Sequence, residues 1–224
     1  MLLSMVARSF VGFILPGLLL FIPAGTLAWP QAWVFLVIFI GCSLATGLWL
    51  KKADPELLAE RMKSPLSADQ RPRDRAVIIA ILAWFAAWLV LMGLDNRFGW
   101  SSSPVWAQAA GGALIVAAFW GWITVLRANS FASVTVRVQT ERGQTVATIG
   151  PYAIVRHPMY AFAFLLMTGA PLLLGSLWGL CGLLVSTPLL VARTLGEEAV
   201  LMRGLPGYRS YAAKVRFRLL PGVW

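Results

Sequence analysis

Charge, histidine and cysteine are all scarce in this chain. Only 12% of its 224 residues are charged while 59% are hydrophobic, far from the soluble balance of roughly half apolar and a quarter charged. That excludes a water-soluble domain of any size and makes the chain an integral membrane protein. The two cysteines, Cys42 and Cys181, both lie in apolar runs with no partner at metal-ligand spacing, which argues against a disulfide framework and against a zinc site; no metal is expected. Acid is scarcer than base, and the net charge is +10. No groove-reading module accompanies that excess, so nucleic acid is not the expected partner. Internal repeats and low-complexity tracts are also lacking. Histidine occurs once, as His157.

What is present is a series of six uncharged stretches, at about 10–29, 32–50, 76–94, 105–126, 158–175 and 177–192. Each approaches the roughly 20 apolar residues that cross a bilayer. Pro30 and Gln31 alone separate the first pair, and Gly175-Ser176 the last pair, so each pair is expected to form a tight antiparallel hairpin. The first stretch follows Arg8 as a signal peptide would, but another span follows at once, and retention is expected. Six spans put every lysine and arginine except Arg97 on one side of the membrane. The positive-inside bias then predicts both termini in the cytoplasm and membrane lipids as the partners of the basic surface. Arg97 and Asp95 are expected in the loop between the third and fourth spans.

The first basic loop carries Asp54-Pro55-Glu56-Leu57-Leu58, with Asp54 suited to N-cap and Pro55 to open a helix. A short interfacial helix near 54–63 is expected, acting as a lipid-anchored connector, with open linker from Ser67 to Arg75. The second basic segment, Asn129 to Gln139, alternates small or polar with β-branched residues ahead of Gly143. That pattern predicts a short strand or hairpin. It leads into Gly150-Pro151-Tyr152-x-x-x-Arg156-His157-Pro158-Met159-Tyr160. Non-helical backbone at a membrane face should cover or line a cavity. Pro158 suits a first helical position, which leaves His157 at the cap with Tyr160 on its face.

By itself a histidine beside a helix start reads as a cap. The adjacent carboxylates Glu197 and Glu198, expected just after the sixth span, change that balance, because carboxylates at a hydrocarbon boundary need partners. Arg193 stands four residues before Glu197, the spacing of an ordinary helical ion pair. The hairpin 158–192 returns the chain to the same side, so Arg156, His157 and Tyr160 should meet Arg193, Glu197 and Glu198.

The Gly-Pro-Tyr-x-x-x-Arg-His-Pro-Met-Tyr string, the Glu-Glu pair and the tail Arg216-Phe217-Arg218-Leu219-Leu220-Pro221-Gly222-Val223-Trp224 resemble the isoprenylcysteine carboxyl methyltransferase family over roughly residues 125–224. Asn129-x-Phe131 and Arg193-Thr194 resemble further elements of it, and Glu198 to Tyr211 resembles its pattern of paired glutamates followed by glycine and two tyrosines. The Arg-His-Pro-x-Tyr element is shared with phospholipid N-methyltransferases and, more loosely, with membrane sterol reductases. The Asp54 to Arg61 loop resembles bacterial-looking members, which implies a bacterial inner membrane.

The uncharged stretches predict an all-α polytopic protein with spans one to four in residues 1–128, and the resemblance implies a catalytic part in 129–224 whose cofactor-binding region faces the cytoplasm. It implies S-adenosylmethionine as cofactor, with Tyr152, Arg156, His157, Pro158, Tyr160, Glu197 and Glu198 around it. The implied reaction is O-methylation of a lipophilic carboxylate, isoprenylcysteine-like or another small hydrophobic acceptor. A carboxylate needs no general base but does need an orienting cation, for which Arg193 is the candidate with Asn129 assisting. An amine or thiol acceptor would need a base instead, from His157 or a glutamate. Two other classes stand beside this one, a nicotinamide-dependent membrane reductase and a non-catalytic assembly protein. The many tryptophans read as an interfacial belt and helix packing. The tail bearing Tyr208, Tyr211 and Val215 reads as an amphipathic element on the membrane, placed to lid the cofactor.

Overall fold

The computed structural model describes residues 2–64 and 72–224, with side chains described at position 12 and from 14 onward. Among the described residues, eight α-helices run in the order α1 (Leu2–Ala24), α2 (Pro30–Ala53), α3 (Pro55–Arg61), α4 (Pro72–Phe98), α5 (Val105–Ala128), α6 (Pro158–Leu174), α7 (Gly182–Gly204) and α8 (Tyr208–Lys214). Among the described residues there is no strand. Four segments of the described residues are long and apolar enough to cross a membrane: α2, α4, α5 and Trp178–Gly204, which takes in a short 3-10 turn and α7. Two shorter apolar helical segments, Ile14–Ala24 and Pro158–Leu174, accompany them. The chain is therefore an all-helical integral membrane protein.

Several boundaries differ from the sequence expectation, each for a local reason. The first hairpin turns at Gly25, whose φ of 68° suits a glycine C-cap, so α1 stops at Ala24, the connection is residues 25–29, and Pro30 and Gln31 open α2 instead of forming the turn. Pro72 to Arg75 form the first turn of α4 rather than linker, with Pro72 at the position where a missing N–H costs nothing. The remainder of that expected linker, 67–71, lies outside the described residues. Asp95 and Arg97 belong to the last turn of α4, not to a loop. Glu197 and Glu198 lie inside α7 rather than after its end.

Two compact units interleave along the chain. The first comprises Met1–Leu48, Leu82–Phe119 and Ala163–Ser186. Its core includes Phe35, Leu36, Leu89, Met92 and Ile115, all essentially without exposure. Small residues let its backbones approach: a Cβ on Gly111 would stand 2.5 Å from the Gly169 carbonyl oxygen. Buried polar groups are paired, as apolar surroundings demand. Trp88 Nε1 donates to the Gly179 carbonyl at 2.7 Å, and Asp95 accepts from the Ser101 amide at 2.8 Å and from the Ser101 and Ser176 hydroxyls.

The second unit comprises Trp49–Ile81, Trp120–Phe162 and Thr187–Trp224. Here Asp54 caps α3 as expected, its Oδ1 accepting from the Leu57 amide at 2.9 Å. The helix is more than a surface connector, because Leu57, Leu58 and Glu60 are all buried. Glu60 pairs with Lys63 and, at 3.0 Å, with Arg137. Hydrogen bonding to Lys63 first, then to Arg137, holds its carboxyl below the usual range against the opposing effect of burial.

The expected strand at 129–139 does not form. Carbonyls that a partner strand would have satisfied are taken by side chains instead: Phe131 by Gln139 Nε2 at 2.8 Å, Ala132 by Arg61 Nη1 at 2.8 Å and Val134 by Arg193 Nη2 at 2.7 Å. The segment closes in a 3-10 turn at Thr140–Arg142, ended by Gly143 at φ 64°.

The tail also departs from expectation. Leu205, Tyr208 and Tyr211 form a buried cluster against Val138, Val146, Leu201 and Met202, so the apolar face of α8 is covered by protein.

Candidate functional site

The residues that carry the site all belong to the second unit. Pro158 is the first residue of α6, the position where its missing N–H costs nothing, and His157 precedes it. The preceding backbone is held by the tail: the Arg156 amide donates to the Phe217 carbonyl at 3.0 Å and the His157 amide to the Arg218 carbonyl at 2.9 Å. The Arg218 and Leu219 amides in turn donate to the Trp224 carbonyl, and the Arg218 guanidinium lies over the Trp224 ring. The imidazole of His157 stacks on Tyr160, centroids 5.8 Å apart and planes 10° from parallel.

On α7 the spacing of Arg193, Glu197 and Glu198 brings all three toward this cap. The two carboxylates have different surroundings. Glu198 is buried, with Arg156 Nε at 3.1 Å, Arg218 Nε at 2.8 Å and His157 Nε2 at 3.5 Å. Both its oxygens face cations, so it ties α7 to the start of α6 and to the tail. Glu197 has a side chain 30% exposed. Its Oε2 accepts the Tyr160 hydroxyl at 2.7 Å and lies 3.8 Å from His157 Nδ1.

Arg193 does not form the simple ion pair that its spacing from Glu197 suggested. The Tyr160 hydroxyl stands between them, accepting from Arg193 Nε at 3.3 Å while donating to Glu197. Arg193 Nη2 donates to the Val134 carbonyl, and its buried Nη1 has no hydrogen-bond partner. Buried donors of this kind are rare enough to need an explanation. His157 Nε2 and Thr194 Oγ1 are likewise buried without a hydrogen-bond partner.

Tyr152 and Asn129 form the adjoining wall. Asn129 Nδ2 donates to the Tyr152 hydroxyl at 2.9 Å, and its Oδ1 accepts from the Phe131 amide, so both ends of the amide are engaged. Burial pushes the Tyr152 phenol well above its ordinary pKa. The Tyr211 hydroxyl donates to the Tyr152 carbonyl at 2.7 Å. The structure thus brings together every residue singled out from the sequence, in two groups: Tyr152 with Asn129, and Arg156, His157, Pro158 and Tyr160 with Arg193, Glu197 and Glu198.

Residues 106–205 match the phospholipid methyltransferase family. The match indicates a membrane methyltransferase, and the matched family belongs to the same superfamily as the isoprenylcysteine carboxyl methyltransferases. All the singled-out residues fall within it. No curated relative matches the chain.

Two contributors escape a reading of the sequence, and both lie outside the matched segment. Arg218 is visible there only as part of a tail motif, with nothing to pair it with Glu198. Arg61, from α3, donates through Nη1 to the Ala132 carbonyl and approaches Met159 Sδ at 3.8 Å. Only the unusual content of its loop, an arginine closing a short capped helix, hints at it.

Proposed function

We propose that this membrane methyltransferase takes its methyl group from S-adenosylmethionine and transfers it to the carboxylate of a lipophilic, isoprenylcysteine-like acceptor at the cytoplasmic face of a bacterial inner membrane. The short apolar helices Ile14–Ala24 and Pro158–Leu174 would complete six spans with both termini inside, the arrangement that the distribution of lysine and arginine favours.

The observation that carries the reading is the Arg193–Tyr160–Glu197 chain: a buried guanidinium with one donor unspent, linked through a phenol to a carboxylate whose other oxygen has no protein partner among the described residues. This donor set fits the cofactor. Its amino-acid end offers an ammonium, for which Glu197 is the acceptor, and a carboxylate, for which the cap at His157 with Arg156 and Tyr160 is the cationic and polar wall. Glu198 holds that wall in place through Arg156 and Arg218. Bound S-adenosylmethionine supplies an electrophilic methyl group on a sulfonium.

The chain's own residues then serve to position, because an in-line displacement needs the acceptor atom about 3–3.5 Å from the methyl carbon and water kept away. Arg193 Nη1 orients the acceptor carboxylate, which needs no base. Asn129 acts from the neighbouring wall by fixing Tyr152. An acceptor with a lipid tail accounts for an enzyme that lives in the bilayer.

Calorimetric titration of the detergent-solubilised chain with S-adenosylhomocysteine tests the cofactor. Saturable binding that is lost in Glu197→Gln and His157→Ala at unchanged folded yield is expected, and an absence of heat in the folded wild type refutes the proposal. The family match favours a second reading, N-methylation of a phospholipid amine, with His157 or a glutamate as base. Radiolabelled product separates the two readings, since a methyl ester releases volatile methanol in mild alkali and an N-methyl group does not.

A further inference from the structure

Arg61 and Arg193 share an arrangement that the proposed function does not use in full. The two arise from different helices, α3 and α7, and each spends one donor on the same irregular segment. Arg61 takes the Ala132 carbonyl at 2.8 Å and Arg193 the Val134 carbonyl at 2.7 Å. Those carbonyls belong to residues two apart, whose Cα atoms are separated by at most about 7 Å. On the other side, Arg61 approaches Met159 Sδ and Arg193 donates to the hydroxyl of the next residue, Tyr160. Both guanidiniums are thus confined between 132–134 and 159–160.

Neither is neutralised. Among the described residues, Glu198 serves Arg156 and Arg218, Glu60 serves Lys63 and Arg137, and no carboxylate pairs with Arg61 or Arg193. A guanidinium stays protonated when buried, so its charge calls for an anion. Each carries five N–H donors in a planar fork, matched to two oxygens of an oxyanion.

We infer that Arg61 is a second acceptor-binding cation, which together with Arg193 grips the acceptor's carboxylate and makes the site selective for an anionic head over a neutral or cationic one. The inference rests on the carboxylate reading above and deepens it. It gives α3 a function, since the capped helix carries Arg61 from a loop remote in sequence onto the segment that Arg193 also holds. A cationic amine head is rejected by the same pair, since two like charges without counter-ions repel it.

The test uses the full chain in detergent and three probes with the same apolar tail: N-acetyl-S-dodecylcysteine, its carboxamide, and dodecylamine, with dodecyl phosphate as a fourth. Affinities are read by calorimetry, alongside that of S-adenosylhomocysteine. The wild type should bind the carboxylate at least about tenfold more tightly than the amide and the amine, as expected for charge-assisted recognition. Arg61→Gln should reduce that preference to about threefold or less, Arg61→Lys should retain part of it, and S-adenosylhomocysteine affinity should stay within about twofold in both.

An unchanged preference in Arg61→Gln overturns the inference. So does a parallel loss of S-adenosylhomocysteine binding, which would make Arg61 a structural strut, and so does tighter binding of dodecyl phosphate than of the carboxylate. A wild type that prefers the carboxylate but fails to bind S-adenosylhomocysteine would sink the methyltransferase cofactor while leaving the anion grip standing.

Discussion

Tyr160 donates its hydroxyl to Glu197 at 2.7 Å across a separation of 37 residues. The same oxygen accepts from Arg193, so one phenol holds a cation and a carboxylate at fixed positions without letting them neutralise each other. Replacing it by phenylalanine removes the bridge and leaves the ring stack on His157 intact. Tyr160→Phe should weaken S-adenosylhomocysteine binding by about ten- to a hundredfold, the range for a hydrogen bond to a charged group, with little change in thermal unfolding. Calorimetry and a melting curve on the same preparation check both halves.

The two glutamates should behave oppositely. Glu198 is buried among Arg156, His157 and Arg218, and removing one partner of a buried charge group costs about 3–5 kcal/mol. Glu198→Ala should therefore lower the unfolding midpoint by many degrees. Glu197→Ala, at a half-buried position, should cost about 1 kcal/mol or less yet abolish methyl transfer. Comparable destabilisation in the two variants would refute this division of labour.

Alkaline pH should loosen the tail. Burial pushes the Tyr211 phenol up to about 12, from about 10 in an unfolded chain. A group whose pKa is raised by folding contributes stability that is complete below its unfolded pKa and is lost as pH rises through the folded one. Stability should therefore fall between about pH 10 and about pH 12 in the wild type, and the step should shrink in Tyr211→Phe, which lacks the titrating hydroxyl. Melting temperatures across that interval measure it.

Packing in the first unit offers a control free of any catalytic reading. A Cβ at Gly111 would stand 2.5 Å from both the Gly169 carbonyl oxygen and the Leu173 amide nitrogen, whereas one at Gly41 meets nothing within 4 Å. Gly111→Ala should cost about 1–3 kcal/mol by overpacking. Gly41→Ala should be neutral or slightly stabilising through helix propensity. Unfolding midpoints of the two variants side by side decide the point.

Much of this architecture is legible residue by residue. Long uncharged runs mark the helices because a bilayer tolerates only backbones that bond internally. Asp54-Pro55 and His157-Pro158 mark helix starts because the first amides of a helix have no internal partner. The meeting of His157 with Glu197 and Glu198 follows from a short hairpin that must return the chain. The strand expected at 129–139 is not legible in the same way, because alternation describes only the side chains. Arginines from α3 and α7 and a glutamine within the segment take the carbonyls that a ladder would have used.

The sequence by itself determined that this is a helical membrane protein and which polar residues cluster near His157, since hydropathy, caps and charge distribution are local properties read one segment at a time. Only the tertiary structure decided how those residues divide their work. Whether a carboxylate is a strut or a free acceptor depends on which distant cations reach it, and so on Arg218 and Arg156 meeting Glu198 while Glu197 meets the Tyr160 phenol and the edge of His157 but no guanidinium. Arg61 belongs to the same category, because a guanidinium remote in the chain joins a site only when the fold carries it there.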